Sequence, residues 1–136
     1  MKKVELSKDE VCKMVIDLDD EILGVSRNAE NAEDEQGLNF YVKAYDYVYI
    51  WAGLYKDQDA LKKTLENDCT SCSTYLYYYP KSDRLILSVE NVDYDYTDFE
   101  VIGGDGRDLL IKACEEYCQE RCGTTCADAL EQGLVA

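Results

Sequence analysis

Residues 73–90 read Ser-Thr-Tyr-Leu-Tyr-Tyr-Tyr-Pro-Lys-Ser-Asp-Arg-Leu-Ile-Leu-Ser-Val-Glu, and this stretch decides the fold. Its two halves, 73–79 and 84–90, are strand-like runs of apolar and aromatic residues on either side of a short polar segment. Pro80 fixes the backbone of that segment where no ladder amide is needed, which is typical of a turn. The pattern therefore predicts a β-hairpin.

Further strand signals lie on both sides of this hairpin. From Phe40 to Trp51, apolar residues alternate with tyrosines and lysine, and period-two alternation favours a strand. Helical spacing also fits part of this stretch, so strand and helix remain alternatives for residues 39–55. A further strand is predicted over 92–102, whereas the polar, acidic residues 28–37 predict an exposed loop.

Helices are predicted in the N-terminal half of the chain. Ser7 and Glu10 have the spacing of a capping box, which predicts a helix that begins at Ser7. Its apolar stripe ends near the acidic residues 17–21 or at Gly24. Asp57 is suited to cap a second, short helix that ends before the first pair of cysteines.

The C-terminal part of the chain predicts two more helices. The Gly-Gly-Asp-Gly turn at residues 103–106 leads into a helix that Asp108 would cap, with one broad apolar face and an end near Gly123. Thr124 or Thr125 would cap a final short helix. The whole pattern predicts an α+β fold: a small antiparallel sheet of three to five strands packed against helices, in a single domain over residues 1–136.

The charge of the chain limits its partners. Twenty-nine acidic residues against fourteen basic ones, with no histidine, give a formal net charge of −15. Such a surface repels nucleic acid and attracts basic proteins at a rate that falls with salt, although a merely solvated surface is the alternative. We see no signal-peptide pattern and no run of about 20 apolar residues, so we expect a cytoplasmic protein without membrane contact.

Seven cysteines are the second compositional feature. In the reducing cytosol they are expected to be metal ligands or buried apolar groups rather than disulfides. Cys69 and Cys72 lie in a turn before the hairpin, where two thiolates can hold one ion. Four more cysteines follow at four-residue spacing, which places neighbours on one helix face: Cys114, Cys118, Cys122 and Cys126.

These two groups predict one structural zinc ion that joins the mid-chain turn to the C-terminal helix. The expected ligands are the two turn cysteines together with the two helix cysteines that lie toward the edge of the apolar face: Cys69, Cys72, Cys118 and Cys122. Cys114 could replace Cys122, and Cys126 could replace Cys118. A four-thiolate site leaves no open position for a substrate. The alternatives are simply packed thiols, or a thioredoxin-like dithiol at Cys69 and Cys72.

The predicted strand after the hairpin carries carboxylates two residues apart. Residues on one face of a strand are separated by roughly 6 to 7 Å, similar to the spacing of phosphates along nucleic acid. Tyrosines between them suit a protein interface, or else belong to a core with an acidic rim. The predicted partner-binding residues are Asp93, Tyr94, Asp95, Tyr96, Asp98 and Glu100.

Small size, acidity and many tyrosines, with acidic runs at residues 17–21, 30–35 and 93–100, resemble the anti-CRISPR proteins that phages and mobile elements direct against Cas9. The resemblance is one of overall character. It implies a non-enzymatic, stoichiometric inhibitor in the host bacterial cytoplasm, a DNA mimic that occupies a basic surface of Cas9 and hinders DNA loading without itself binding nucleic acid. Two alternatives are a zinc-stabilised adaptor of a mobile element with another partner, and a thiol redox enzyme.

Overall fold

The fold is a mixed β-sheet with a helical layer on one face. The computed structural model describes residues 2–8, 11, 23–28, 34–42, 74–90 and 96–135. Two helices follow six strands along this part of the chain: β1 (Lys2–Glu5), β2 (Leu23–Asn28), β3 (Asp34–Val42), β4 (Thr74–Tyr79), β5 (Arg84–Glu90), β6 (Tyr96–Gly103), α1 (Asp105–Cys122) and α2 (Cys126–Glu131). The predicted α+β class is confirmed.

The strands lie in the order β1-β6-β5-β4-β3-β2. Every neighbouring pair is antiparallel except β1 and β6, which run parallel with Val4 opposite Val101. Among the described residues the sheet therefore has six strands and is mixed, whereas the sequence predicts three to five antiparallel ones. The difference arises at the two edges, where β1 is too short and β2 too polar to show a clear alternation.

The predicted hairpin is confirmed as β4 and β5, with Tyr79 opposite Arg84 at its closed end. Asp83 in the turn has a φ of 55°, in the left-handed region. The guanidinium of Arg107 supports this turn, because it donates to the Asp83 carbonyl and, over 3.0 Å, to the carbonyl of Val101. The hairpin turn is thus tied to the first turn of α1.

The exposed loop predicted over residues 28–37 is wrong at both ends, because Asn28 belongs to β2 and residues 34–37 belong to β3. Gly37 lies in β3 next to Tyr79. A Cβ at Gly37 would lie 2.5 Å from Cδ1 of Tyr79, so the absence of a side chain lets the tyrosine ring pack on the backbone of β3. The predicted strand from Phe40 is confirmed as far as Val42. Its remainder, and the helix predicted at Asp57, lie outside the described residues.

The first predicted helix begins where its capping box indicates. The Val11 amide donates to the Ser7 carbonyl over 3.1 Å, which is the first bond of a helical turn, and the Lys8 amide donates to Oδ1 of Asp105 over 2.7 Å. Residues 9–10 and 12–22 lie outside the described part of the chain. Asp105, from the start of another helix, thus serves one of the amides that the helix itself leaves unpaired. The alternative helix end at Gly24 is wrong, because Gly24 lies in β2.

The predicted cap of α1 is wrong, because the helix begins at Asp105 rather than near Asp108. Its N-cap is Gly104, at a φ of 90° that favours glycine. The predicted ends are confirmed: Gly123 closes α1 in the left-handed conformation, and the Thr125 hydroxyl caps α2 by accepting from the Asp128 amide over 3.2 Å.

The junction of β1, β6 and α1 depends on close backbone contact at Leu6. The Leu6 amide donates to the Gly103 carbonyl over 3.1 Å, and the Gly106 amide donates to the Leu6 carbonyl over 2.9 Å. A Cβ on Gly106 would lie 2.4 Å from the Ser7 carbonyl oxygen, and one on Gly104 would lie 2.0 Å from that of Leu6. Only glycine allows this approach at either position.

The main core lies between the helical layer and one face of the sheet. Helix α1 contributes Gly106, Leu110, Cys114 and Cys118 at four-residue spacing, so three of its four buried positions carry small residues. The sheet contributes large apolar side chains from β3 to β6: Leu38, Phe40, Leu76, Tyr78, Leu85, Leu87, Phe99 and Val101. That this domain spans all of residues 1–136 stays a prediction.

We predict that Gly106→Ala destabilises the protein by about 1–3 kcal/mol, because the new methyl group overpacks the contact with Ser7. At an ordinary position inside a helix, the same change from glycine to alanine stabilises the protein by up to about 1 kcal/mol. Urea denaturation measures the free energy of unfolding. The exposed Gln119→Ala on the same helix is the control, and we expect a change of less than about 0.5 kcal/mol. A more stable Gly106→Ala protein would contradict the packing described.

Tyr78 predicts a loss of stability at alkaline pH. Burial, and next the charge of Glu115, raise its pKa from 10.0 to about 12. Tyrosine in the unfolded chain ionises near 10, so the stabilisation is complete below that pH and is lost as pH rises through 12. We expect Tyr78→Phe to reduce the decline in unfolding free energy between pH 10 and 12. An identical decline in the two proteins would refute this.

Candidate functional site

The C-terminal cysteines gather where α2 folds back on α1. Cys114, Cys118 and Cys126 are fully buried, and Cys122 is half-buried. The expectation that Cys118 lies toward the edge of the apolar face is therefore wrong. The turn after Gly123 brings Cys126 against the middle of α1, and this contact covers Cys118, a tertiary effect that helical periodicity does not show.

Close contacts connect these thiols. The Cys126 thiol donates to the Cys114 carbonyl over 3.5 Å and lies beside the Cys118 side chain, which in turn lies beside Cys122. The Cys126 amide donates to Oε2 of Glu115 over 3.0 Å. The two helices are therefore joined by a chain of sulfur contacts with a carboxylate at its border.

Burial keeps the three inner thiols protonated. It raises the pKa of Cys118 to about 11, and it raises the pKa values of Cys114 and Cys126 further, with Glu115 adding to both. A nucleophilic cysteine needs a lowered pKa and access to solvent. These three thiols therefore suit packing, or deprotonation on binding a metal ion, better than redox catalysis.

The zinc prediction concerns two places in the chain, of which the structure describes one. Cys118 and Cys122 lie one turn apart on α1 with their side chains near each other. Cys69 and Cys72 lie outside the described residues. Within those that are described, no group of three or more histidine, cysteine or acidic side chains is arranged to hold a metal ion. The four-cysteine zinc site stays a prediction.

We predict one zinc ion per purified chain by elemental analysis, and a lower melting temperature for Cys69→Ser or Cys72→Ser, because loss of a ligand from a closed site weakens folding directly. Cys12→Ser is the matched control, since Cys12 is the one cysteine outside the predicted ligand set and its alternates. If the purified protein contains no zinc and neither turn variant changes its melting temperature, the zinc site is refuted. The cysteines would then be simply packed thiols.

The predicted acidic strand is present as β6 from Tyr96 onward, whereas Asp93, Tyr94 and Asp95 lie outside the described residues. Strand alternation places Tyr96, Asp98 and Glu100 on one face, opposite the face that packs on the helices. The structure thus describes three of the six predicted partner-binding residues, and it brings those three together.

Two of these carboxylates have partners on β5 that sequence reasoning missed. The Ser88 hydroxyl donates to Oδ1 of Asp98 over 2.6 Å, and Nε of Arg84 donates to Oε2 of Glu100 over 2.7 Å. The sequence held one signal for these partners, since Ser88 and Arg84 are both residues of the second strand of the predicted hairpin. Their positions opposite β6 required the register between the two strands, which the sequence alone does not supply.

Tyrosine rings continue this face across the sheet. Tyr75 lies next to Tyr41, with ring centroids 5.5 Å apart, and next to Tyr96, with centroids 5.8 Å apart. The planes of Tyr75 and Tyr96 are inclined by 52°, so the two rings open at an angle to each other. Tyr96 is 47% exposed, which makes β6 the accessible end of the row.

Comparison with protein-family models, with curated proteins and with solved structures finds no match. None of the helices in the described ranges has the length and apolar character needed to cross a bilayer. Any function therefore has to follow from the residues and geometry of this chain.

Proposed function

We propose that this protein is a non-enzymatic binding protein that uses the face of β6 carrying Tyr96, Asp98 and Glu100 to engage a basic surface of a nucleic-acid-handling protein. The observation that carries the proposal is the placement of Asp98 and Glu100 on one face of a strand, next to the exposed ring of Tyr96. Successive residues on such a face lie roughly 6.8 Å apart, close to the spacing of phosphates along a nucleic-acid strand.

The helical layer adds to the negative field. Residues 105–135 contain seven acidic side chains and three basic ones. The acidic residues are Asp105, Asp108, Glu115, Glu116, Glu120, Asp128 and Glu131, and the basic ones are Arg107, Lys112 and Arg121. Since Arg107 is directed at the hairpin turn, it compensates little of this charge on the outer surface. A net charge of −15 on the whole chain would accelerate encounter with a basic partner.

Contacts within the sheet hold the two carboxylates in place before a partner arrives. Ser88 orients Asp98, and Arg84 orients Glu100. Because fewer side-chain rotamers must then be ordered on binding, a fixed carboxylate binds a cation more tightly than a mobile one. Arg84 also offsets part of the charge of Glu100.

The resemblance to anti-CRISPR proteins suggests Cas9 as the partner. In this proposal the acidic face occupies a basic surface that Cas9 otherwise uses to hold DNA, and inhibition follows from charge competition and steric exclusion. A structural zinc ion held by Cys69, Cys72, Cys118 and Cys122 would connect the turn before β4 to α1. The protein would act in the host bacterial cytoplasm and would not itself bind nucleic acid.

We predict that the purified chain inhibits DNA cleavage by guide-loaded Cas9 at near-stoichiometric concentration, and that the double variant Asp93→Lys, Asp95→Lys loses at least tenfold in inhibition at low salt. Charge reversal replaces attraction by repulsion at the contact, and each pair lost is worth roughly 1 kcal/mol or more there. A titrated cleavage assay, repeated at rising salt, measures the effect.

The double variant Glu116→Lys, Glu120→Lys on α1 is the matched control. It changes the net charge by the same amount as the Asp93→Lys, Asp95→Lys variant, but at exposed positions on a helix. Its inhibition should stay close to that of the wild type. Equal losses in the two variants would mean that total charge, not the predicted acidic segment 93–100, determines binding. A wild-type chain that binds zinc but leaves cleavage unaffected would favour an adaptor with another partner.

A further inference from the structure

We propose that this chain forms a symmetric dimer in which the outer edge of β1 pairs antiparallel with β1 of a second copy. The inference goes beyond the proposed function and concerns a different part of the molecule. It is carried by an exposed sheet edge on which the two residues whose peptide groups point outward, Lys3 and Glu5, have opposite charges.

The backbone of β1 supplies the hydrogen-bonding groups of this edge. Within the described ranges β1 is the last strand of the sheet and pairs with β6. The Leu6 amide donates to the Gly103 carbonyl, in the direction of β6. Because the peptide groups of successive strand residues point to opposite edges, those of Lys3 and Glu5 point away from β6. At a sheet edge such a row of groups is a template for another strand.

The side chains of β1 leave its outer edge accessible. Lys3 and Glu5 lie on one face of the strand and are exposed, whereas Val4 lies on the other face and is half-buried against the core. The cross-strand neighbour of Lys3 is Glu100, whose carboxylate already bonds Arg84 over 2.7 Å. A second strand can therefore approach β1 without displacing a core side chain.

Charge selects one register for this pairing. In an antiparallel pair related by a two-fold axis, the residues with outward peptide groups must face each other. The possible registers place Lys3 opposite Lys3 of the second copy, Glu5 opposite Glu5, or Lys3 opposite Glu5. The first two place like charges directly opposite each other, which destabilises a strand pair. The last forms an opposite-charge pair on each side of the axis and places Val4 against Val4 of the second copy.

The charge of the whole chain opposes self-association, since each copy carries −15. The edge at β1 does not share this acidic character, because residues 2–8 contain three lysines and one glutamate. At physiological ionic strength, repulsion between exposed charges is largely screened beyond about 8 Å, whereas charges in close contact are screened less. We therefore expect a dimer that forms with rising concentration at physiological salt.

Sedimentation equilibrium of the full chain, from micromolar to millimolar concentration at physiological salt, tests the proposal. We expect the average mass to rise from that of one chain toward twice that value. Lys3→Glu and Glu5→Lys each place like charges opposite one another in the dimer, so each should weaken self-association about tenfold. An equimolar mixture of the two variants should recover the association, because each variant then meets opposite charges on the other.

Lys8→Glu and Glu131→Lys are the matched controls, since they make the same charge changes at exposed positions outside β1. Both should associate as the wild type does, and circular dichroism should show the same fold for all variants. A wild-type chain that stays monomeric over this range would overturn the dimer. Undiminished association in both β1 variants, an equal loss in the controls, or a mixture that stays monomeric would overturn the pairing of Lys3 with Glu5. None of these results bears on the proposed function, which the cleavage assay tests.

Discussion

The backbone of Leu6 is hydrogen-bonded to two glycines, and the described fold depends on these two contacts. Its amide donates to Gly103 at the end of β6, and its carbonyl accepts from Gly106 in the first turn of α1. The two bonds attach the N-terminal strand to the sheet and to the helix at the same point. Side chains at Gly104 or Gly106 would separate these backbones, so the junction requires glycine on the helix side.

This junction sets the position of α1, and α1 in turn orients the sheet. Small residues at Gly106, Cys114 and Cys118 let the helix approach the large side chains of β3 to β6 closely. One face of each strand is thereby committed to the core. The opposite face of β6 carries Asp98 and Glu100, and the register with β5 gives both carboxylates a donor. The position of the proposed binding face therefore follows from the packing on the other side of the sheet.

Strong local signals in the sequence allowed much of this architecture to be predicted. The hairpin, the end of α1 at Gly123 and the cap at Thr125 each depend on a few adjacent residues, and the structure confirms them. Strands β1 and β2 could not be predicted, because edge strands are short or polar and acquire their structure from a neighbour. Asp108 is predicted as a cap because aspartate commonly caps helices. The contact with Leu6 instead places the N-cap at Gly104, so that the helix begins at Asp105.

The site shows the same division between local and long-range information. The acidic alternation of β6 is visible in the sequence, but Ser88, Arg84 and Tyr75 join it only through strand register. Four-residue spacing correctly suggested that Cys118 and Cys122 are neighbours, yet the burial of Cys118 depends on how α2 folds back on α1. Periodicity gives the face of an element, and tertiary packing decides what covers it.

The most direct test of the account is to locate the surface that contacts a basic ligand. An amide spectrum of the isotopically labelled chain, recorded by nuclear magnetic resonance during titration with an amidated peptide of alternating glycine and arginine, reports this residue by residue. We expect the largest shift changes at Tyr96, Asp98 and Glu100, with small changes along α1. Changes that are largest on α1 and α2, or evenly spread over all acidic surfaces, would contradict it.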